Sequence, residues 1–373
     1  MPVDILGMIS HRLASEVIAP RGPIFDHDFI RDFAQVHERA GFDRILIGYY
    51  SNAPDGFLVA AHAAASTERL GLLLAHRPGF VAPTVAARKL TTLDHLSRGR
   101  LAMHCISGGS DADQAKDGDF VGHDERYART DEYLEILKRV WTEDRPVDHE
   151  GAFYRVAGAS TDIKPLQQPH IPIYFGGSSD AAIEVGAKHA EVYMIWGEPL
   201  ADVRATIAKV RAAAERYGRS PRFSVSVRPI LGPTEEAAWA RARGILDQIL
   251  INRDVPPVRP QSTGSQRLLD AAARGEVHDR CLWTPIAAAT GARGNTTALV
   301  GTPEQVAEAL LDYYDAGATT LLIRGFDPLN DVVEWGHELL PLVRAGVAQR
   351  DRLASGEGAH TTEAALRAEV AAR

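Results

Sequence analysis

Residues 171–217 read IPIYFGGSSDAAIEVGAKHAEVYMIWGEPLADVRATIAKVRAAAERY. Two short apolar runs, Ile171–Phe175 and Val192–Trp196, each give way to a helical pattern, Asp180–Ala190 and Ala201–Tyr217. Nearly continuous apolar runs fit parallel strands that are covered on both faces. Two strand–helix units in succession therefore predict a parallel α/β architecture.

The same alternation continues in both directions. Upstream, Val3–Ile9, Arg44–Tyr49, Leu70–Ala75 and Leu101–Ile106 read as strands, and His27–Ala40, Asp55–Ser66, Thr84–Leu96 and Glu125–Thr142 as helices. Downstream, Phe223–Ile230 and Thr320–Ile323 are strands, with helices over Thr234–Ile249, after Thr302, and over Asp331–Val343. Thr302-Pro303-Glu304-Gln305 carries a capping threonine, a first-turn proline and a glutamine that completes a capping box. Two stretches break the pattern: Arg145–His170, read as an insertion with a hairpin, and the longer Ile251–Thr296, rich in Pro, Gly and Arg. Eight strands alternating with helices predict a (β/α)8 barrel with one insertion after strand 4 and a lid-type insertion after strand 7. The open doubly wound sheet is the alternative, and the lack of a G-x-G-x-x-G fingerprint after the first strand weakens its dinucleotide-binding form. Residues 1–350 are expected to form this barrel as one domain, and 351–373 a peripheral helix or frayed tail.

Composition agrees with this class. The 373 residues are 45% hydrophobic and 24% charged, so a large core needs no disulfide or metal support. A net charge of -8 argues against a nucleic-acid role. Cys105 and Cys281 read as buried thiols. With no signal peptide or spanning segment apparent, a cytoplasmic location is expected. There is no H-E-x-x-H, C-x-x-C pair or clustered carboxylate spacing for a metal, and no G-x-S-x-G elbow for a nucleophilic hydrolase.

Barrel active sites gather where strands end. The polar residues there include Ser10 and His11, Tyr49 to Asn52, His76 and Arg77, Ser107 to Ser110, Trp196 to Glu198, Ser226 and Arg228, and Arg324 to Asp327. Several of these strand ends carry His or Arg, which together point to a cationic pocket for an anionic ligand. The strongest local signal is Tyr174-Phe175-Gly176-Gly177-Ser178-Ser179-Asp180. Glycines let the backbone approach a ligand closely, and the helix that follows offers free N–H groups to a phosphate. Ser178 or Ser179 can equally serve as a plain helix cap.

Longer motifs resemble one family. Ala75 to Arg88, with His76-Arg77-Pro78-Gly79-Phe80 at its centre, looks like the third-strand segment of alkanesulfonate monooxygenases. Thr92 to Arg100, His123-Asp124-Glu125-Arg126-Tyr127, Tyr174 to Asp180, Trp196-Gly197-Glu198-Pro199 and Thr297 to Gly301 resemble luciferase-like flavoenzymes, over roughly residues 3 to 345. The resemblance implies reduced FMN (FMNH2) as cosubstrate, delivered by a separate NAD(P)H-dependent flavin reductase, with O2 as oxidant and a homodimer or homotetramer as the assembly. For a sulfonate it implies cleavage of the C–S bond to an aldehyde and sulfite. By position, Arg126, Tyr127, Gly177, Ser178 and Ser179 would hold the phosphate end of the flavin. His76, His104 and Ser107 would complete the cofactor site, the last two near the ring.

Some positions depart from that branch. It carries Cys where this chain has Ala53-Pro54, Arg and His on the seventh strand where this chain has Ser226 and Arg228, and Tyr after the eighth where Phe326 stands. Side chains two apart on a strand share a face, so an arginine has in effect moved from 226 to 228 on one inward face. Arg293 keeps the place of a mobile lid arginine, and His11 remains. Arg228, Arg293, His11 and Trp196 are therefore the expected catalytic set, acting on a small anionic organosulfur substrate. An amine, heterocycle or ketone oxygenase, a deazaflavin-dependent dehydrogenase, and a non-catalytic flavin-binding protein are the alternatives.

Overall fold

The computed structural model describes residues 3–253 and 259–355. The barrel strands are β1 (Asp4–Ile9), β2 (Arg44–Ile47), β3 (Gly71–His76), β4 (Leu101–Cys105), β5 (Ile173–Gly176), β6 (Val192–Trp196), β7 (Arg222–Leu231) and β8 (Ala318–Ile323). Each pairs in parallel with the next, and β8 returns to β1 through Asp4↔Thr320, Ile5↔Leu321 and Leu6↔Leu322. The sheet is thus closed, a (β/α)8 barrel as the alternation predicts. Closure leaves none of the eight barrel strands as a sheet edge.

Alternate residues of the strands serve two cores. Leu6, Leu46, Leu73, Ala102, Tyr174, Val192 and Leu322 point inward and fill the barrel. Ile5, Ile45, Leu72, Met103, Phe175, Tyr193, Val225 and Leu321 point outward under the helices. This two-sided burial is why the strands read as continuous apolar runs. Helices begin at the C-terminal ends of strands, so their caps ring the barrel mouth. Asp26 accepts from Phe29 N, Asp55 from Leu58 N, Ser179 from Ala182 N and Asp327 from Asn330 N. The Thr302–Gln305 capping box forms as the sequence indicates.

Both insertions have structure of their own. The first contains the antiparallel hairpin Val147–Glu150 and Arg155–Ala159. The second contains a helix over Thr263–Arg274 and a short one over Pro285–Thr290, and the strand Ala298–Gly301 follows it. β7 is ten residues long, against four to six for the other barrel strands, so its upper half leaves the barrel and pairs in parallel with Ala298–Gly301 instead. The expected last helix is two, Pro328–Glu338 and Leu340–Ala354, interrupted at Leu339 before Pro341, which supplies no N–H. The tail expected over 351–373 lies outside the described residues from 356 onward. No helix among the described residues is long and apolar enough to cross a membrane.

Candidate active site

The β5 side of the mouth is made of backbone. A Cβ on Gly176 would stand 3.3 Å from the Met194 carbonyl oxygen and 3.5 Å from His104 Nε2. A Cβ on Gly177, whose φ is +153°, would lie 2.5 Å from Ala182 Cβ and 3.2 Å from the Tyr127 hydroxyl. Gly177 admits only glycine, Gly176 is tightly packed, and the chain passes directly beneath Tyr127. Tyr193 donates to the Gly177 carbonyl at 2.7 Å and fixes that peptide. The helix Asp180–His189 starts at once, capped by Ser179, and the exposed Asp180 carboxylate is matched by Lys209 at 2.5 Å. Gly177, Ser178, Ser179 and Tyr127 therefore form one cradle at a helix N-terminus, where an anion is favoured. Burial pushes the Tyr127 phenol up, so it stays a neutral donor.

His104 faces inward above the barrel core, level with Ala75 and Tyr174 in the sheet register. Its Nδ1 is buried without a partner, as are the hydroxyls of Ser224 and Ser226 on β7. Burial lowers the His104 pKa to about 4, so the ring is neutral near pH 7. Trp196, at the end of β6, also faces inward. It packs under the second insertion, where a Cβ on Gly264 would be 3.1 Å from its ring. That insertion is fastened by Arg267, which donates to the buried Glu198 at 2.8 Å, and by Gln261, which meets Asp111 across the mouth at 3.0 Å.

Three of the cofactor-site expectations take a different form. His76 is on the outward face of β3, where Nε2 meets the Tyr133 hydroxyl at 2.7 Å and the ring meets Phe57 edge-on. It lies behind the barrel wall because the side-chain period of 2 turns residue 76 outward when 75 points in. Arg126 is 2% exposed, and its guanidinium donates to the Val121 carbonyl at 2.6 Å and Asp111 at 2.9 Å, which ties down the loop after β4. Ser107 hydrogen-bonds Thr130 at 2.9 Å, and since the Thr130 hydroxyl donates to the Arg126 carbonyl, Ser107 is the donor. These residues support the cradle; Tyr127, Gly177, Ser178 and Ser179 line it.

The opposite side of the mouth is made of charged side chains. Arg228 is fully buried and its charge is already matched: it donates through both terminal nitrogens to Glu16, each at 3.0 Å, and to the Gly325 carbonyl at 2.6 Å. Phe326 stacks beneath it, 3.4 Å from guanidinium carbon to ring centre. The Arg228 expected to meet substrate directly therefore does not present a free guanidinium. Glu16 also takes Arg324 at 3.2 Å. Desolvation works against the Glu16 carboxylate, but Arg228 and Arg324 outweigh it and bring its pKa down to about 2. His11 and Arg324 line a cleft with Ser10, Tyr50, Ala53, Pro54 and Trp335. Burial, and Arg12 beside it, lower the His11 pKa. Arg293 follows the left-handed Gly291 and Ala292; it is exposed and forms no hydrogen bond or ion pair among the described residues.

Sequence reading named Tyr49, Ser51 and Arg77 among the polar strand ends but did not join them into a group. Arg77 lies under Tyr49, 4.5 Å from its ring centre, and donates to Asp113 at 2.8 Å and Ser51 at 3.2 Å. Asp117 in turn accepts from Tyr49 at 3.1 Å and Ser51 at 2.7 Å. Strand parity was the available signal: if 75 faces inward, so does 77. Glu16 had a weaker one, as the only acidic residue between Ser10 and Phe25.

The family model for luciferase-like monooxygenases matches residues 4–320, and the chain belongs to that family. Among solved structures, it is similar to the riboflavin lyase RcaE, solved with a modified FMN and riboflavin, at 21% identity, TM-score 0.76 and 92% of each chain. DmoA from Hyphomicrobium sulfonivorans matches at 22% identity and TM-score 0.74, over 92% of this chain and 88% of that one. The EDTA monooxygenase EmoA from Chelativorans sp. BNC1 matches at 19% and 0.74, over 92% and 94%. The glycine cradle under Tyr127 and the orphaned Nδ1 of His104 fit a phosphorylated flavin, one end anionic and the other rich in hydrogen-bonding groups.

Proposed function

We propose that this enzyme is a two-component monooxygenase that takes FMNH2 from a separate reductase in the cytoplasm and oxygenates a small anionic organosulfur compound. The reaction it fits best converts an organosulfonate, O2 and FMNH2 to an aldehyde, hydrogen sulfite, oxidised FMN and water. The observation that carries the reading is the Gly177 cradle, a glycine turn packed against Tyr127 at the N-terminus of a helix, an end that favours an anion. Reduced flavin, when bound, supplies the two electrons that activate O2. Ser178, Ser179 and Tyr127 would hold its phosphate, and neutral His104 would hydrogen-bond the ring end. Trp196 and the helix Thr263–Arg274 exclude water from the space between. Arg293, on its exposed turn, would close over the substrate, with His11 shaping the cleft. Assembly as a homodimer or homotetramer belongs to the same proposal.

The pairing of Arg228 with Glu16 favours a second reading, in which a neutral molecule such as an amine, heterocycle or ketone is oxygenated instead. An anaerobic titration with FMNH2, followed by O2 and a substrate panel with a sulfite assay, separates the two. Sulfite formed in step with flavin oxidation supports desulfonation. Saturable FMNH2 binding with no sulfite from any sulfonate contradicts it.

A further inference from the structure

Two arginines and one carboxylate meet on the β1, β7 and β8 side of the mouth. Glu16 lies between Arg228, which holds it through two parallel N–H groups, and Arg324, which reaches one of its oxygens at 3.2 Å. The two cations are unequal. Arg228 is fully buried, stacks on Phe326 and bonds the Gly325 carbonyl, with Nε alone left without a partner. Arg324 has a side chain 31% exposed, a single ionic contact, and a place on the wall of the cleft beside Ser10 and His11. A guanidinium has five N–H donors, so Arg324 keeps most of its donors for something else.

We propose that Arg324 is the residue that recognises the substrate's anionic group, and that Glu16, clamped by Arg228, sets the charge this subsite accepts. The cluster carries two positive charges and one negative, a net single positive charge, which suits a monoanion. Arg228 acts as a positioning residue: it holds Glu16, and Glu16 orients Arg324 toward the cleft. A doubly charged head group would meet the fixed Glu16 carboxylate as well and would bind less well. This rests on the anionic-substrate reading above and assigns its head group to one side chain.

The test is calorimetric titration of the anaerobic, FMNH2-loaded enzyme with butanesulfonate, butyl phosphate and butanol. At about pH 8 the phosphate monoester is doubly charged, since its second pKa is about 6. The wild type is expected to bind butanesulfonate more tightly than butyl phosphate. Arg324→Gln is expected to weaken butanesulfonate by about tenfold or more, with butanol and FMNH2 binding unchanged. Glu16→Gln is expected to move selectivity toward butyl phosphate by about tenfold, an effect that loss of a merely structural contact would not produce. If Glu16→Gln does not fold, Arg324→Gln decides alone. Parent-like butanesulfonate affinity in Arg324→Gln overturns the assignment while leaving the anionic reading in place. A wild type that takes up FMNH2 and binds butanol but not butanesulfonate overturns the anionic reading itself.

Discussion

On the β5 side of the mouth the cradle is built from neighbours in sequence: Gly176, Gly177, Ser178 and Ser179 lie on one turn between a strand and its helix. On the β7–β8 side, Glu16, Arg228 and Arg324 come from three remote loops and strands, and the Glu16–Arg228 contact spans 212 positions. The first arrangement presents peptide groups whose positions the chain geometry fixes. The second depends on long side chains whose charges answer one another. A backbone cradle tolerates change in its surroundings but not in its glycines. A charge cluster tolerates change in its backbone but not in the sign of any member.

Three experiments press on this contrast, and the strongest acts on the charge cluster. Replacing Glu16 by Leu leaves Arg228 buried without a counter-ion, and breaking such a pair by removing one partner costs about 3 to 5 kcal/mol. Urea denaturation should show a loss of that size. A loss under about 1 kcal/mol would mean the pair relaxes into water and the cluster is not a fixed unit.

Acid titration sharpens the difference next. Burial lowers the pKa of His37, His76 and His104 to about 4 each, from 6.5. A histidine held neutral in the folded state favours unfolding once the unfolded chain can take up the proton. Its contribution is therefore complete above pH 6.5 and lost as pH falls through about 4, at about 1.4 kcal/mol per pH unit for each group. Glu16, with its pKa lowered to about 2, keeps its contribution until pH drops below the ordinary carboxylate range. Melting temperature should decline steadily between pH 6.5 and 4, while the cost of Glu16→Gln should stay constant down to about pH 5 and shrink only as pH falls below 4.5. A melting temperature flat across it would contradict the neutral assignment of the histidines.

The smallest expected effect is at Arg293. Exposed and without a partner among the described residues, it should leave stability within about 0.5 kcal/mol when changed to Ala. Its role in closure should appear as a few-fold rise in H2O2 released per turnover, measured by peroxide assay beside oxygen uptake. Unchanged coupling would make Arg293 an ordinary surface residue.

The same contrast explains what the sequence made legible. The eight strands were readable because each is buried on both faces, and the glycine turn of the cradle because a strand, two glycines and a capped helix follow in order. His76 and Arg77 were harder. Both stand at the end of β3, and only strand parity tells that 76 faces the helices and 77 the mouth. Arg228 was placed on the inward face of β7 as it is found, but its partner was out of reach, because no local pattern links residue 16 to residue 228. The strand Ala298–Gly301 was read only as part of a motif, since its pairing depends on how far β7 extends beyond the barrel.

The account stands most directly on the cradle beneath Tyr127, and phosphate preference measures it. Anaerobic binding of FMNH2 and of reduced riboflavin should be compared in the wild type and in Ser179→Asp. Aspartate still caps the helix, so folding and melting temperature should hold, while its carboxylate repels the phosphate. The wild type should favour FMNH2 over reduced riboflavin by about a hundredfold, the worth of two charge-assisted hydrogen bonds. In Ser179→Asp that preference should collapse, with riboflavin binding left as it was. Equal binding of the two flavins by the wild type, or a preference that survives in Ser179→Asp, would contradict the assignment of this cradle to the flavin phosphate.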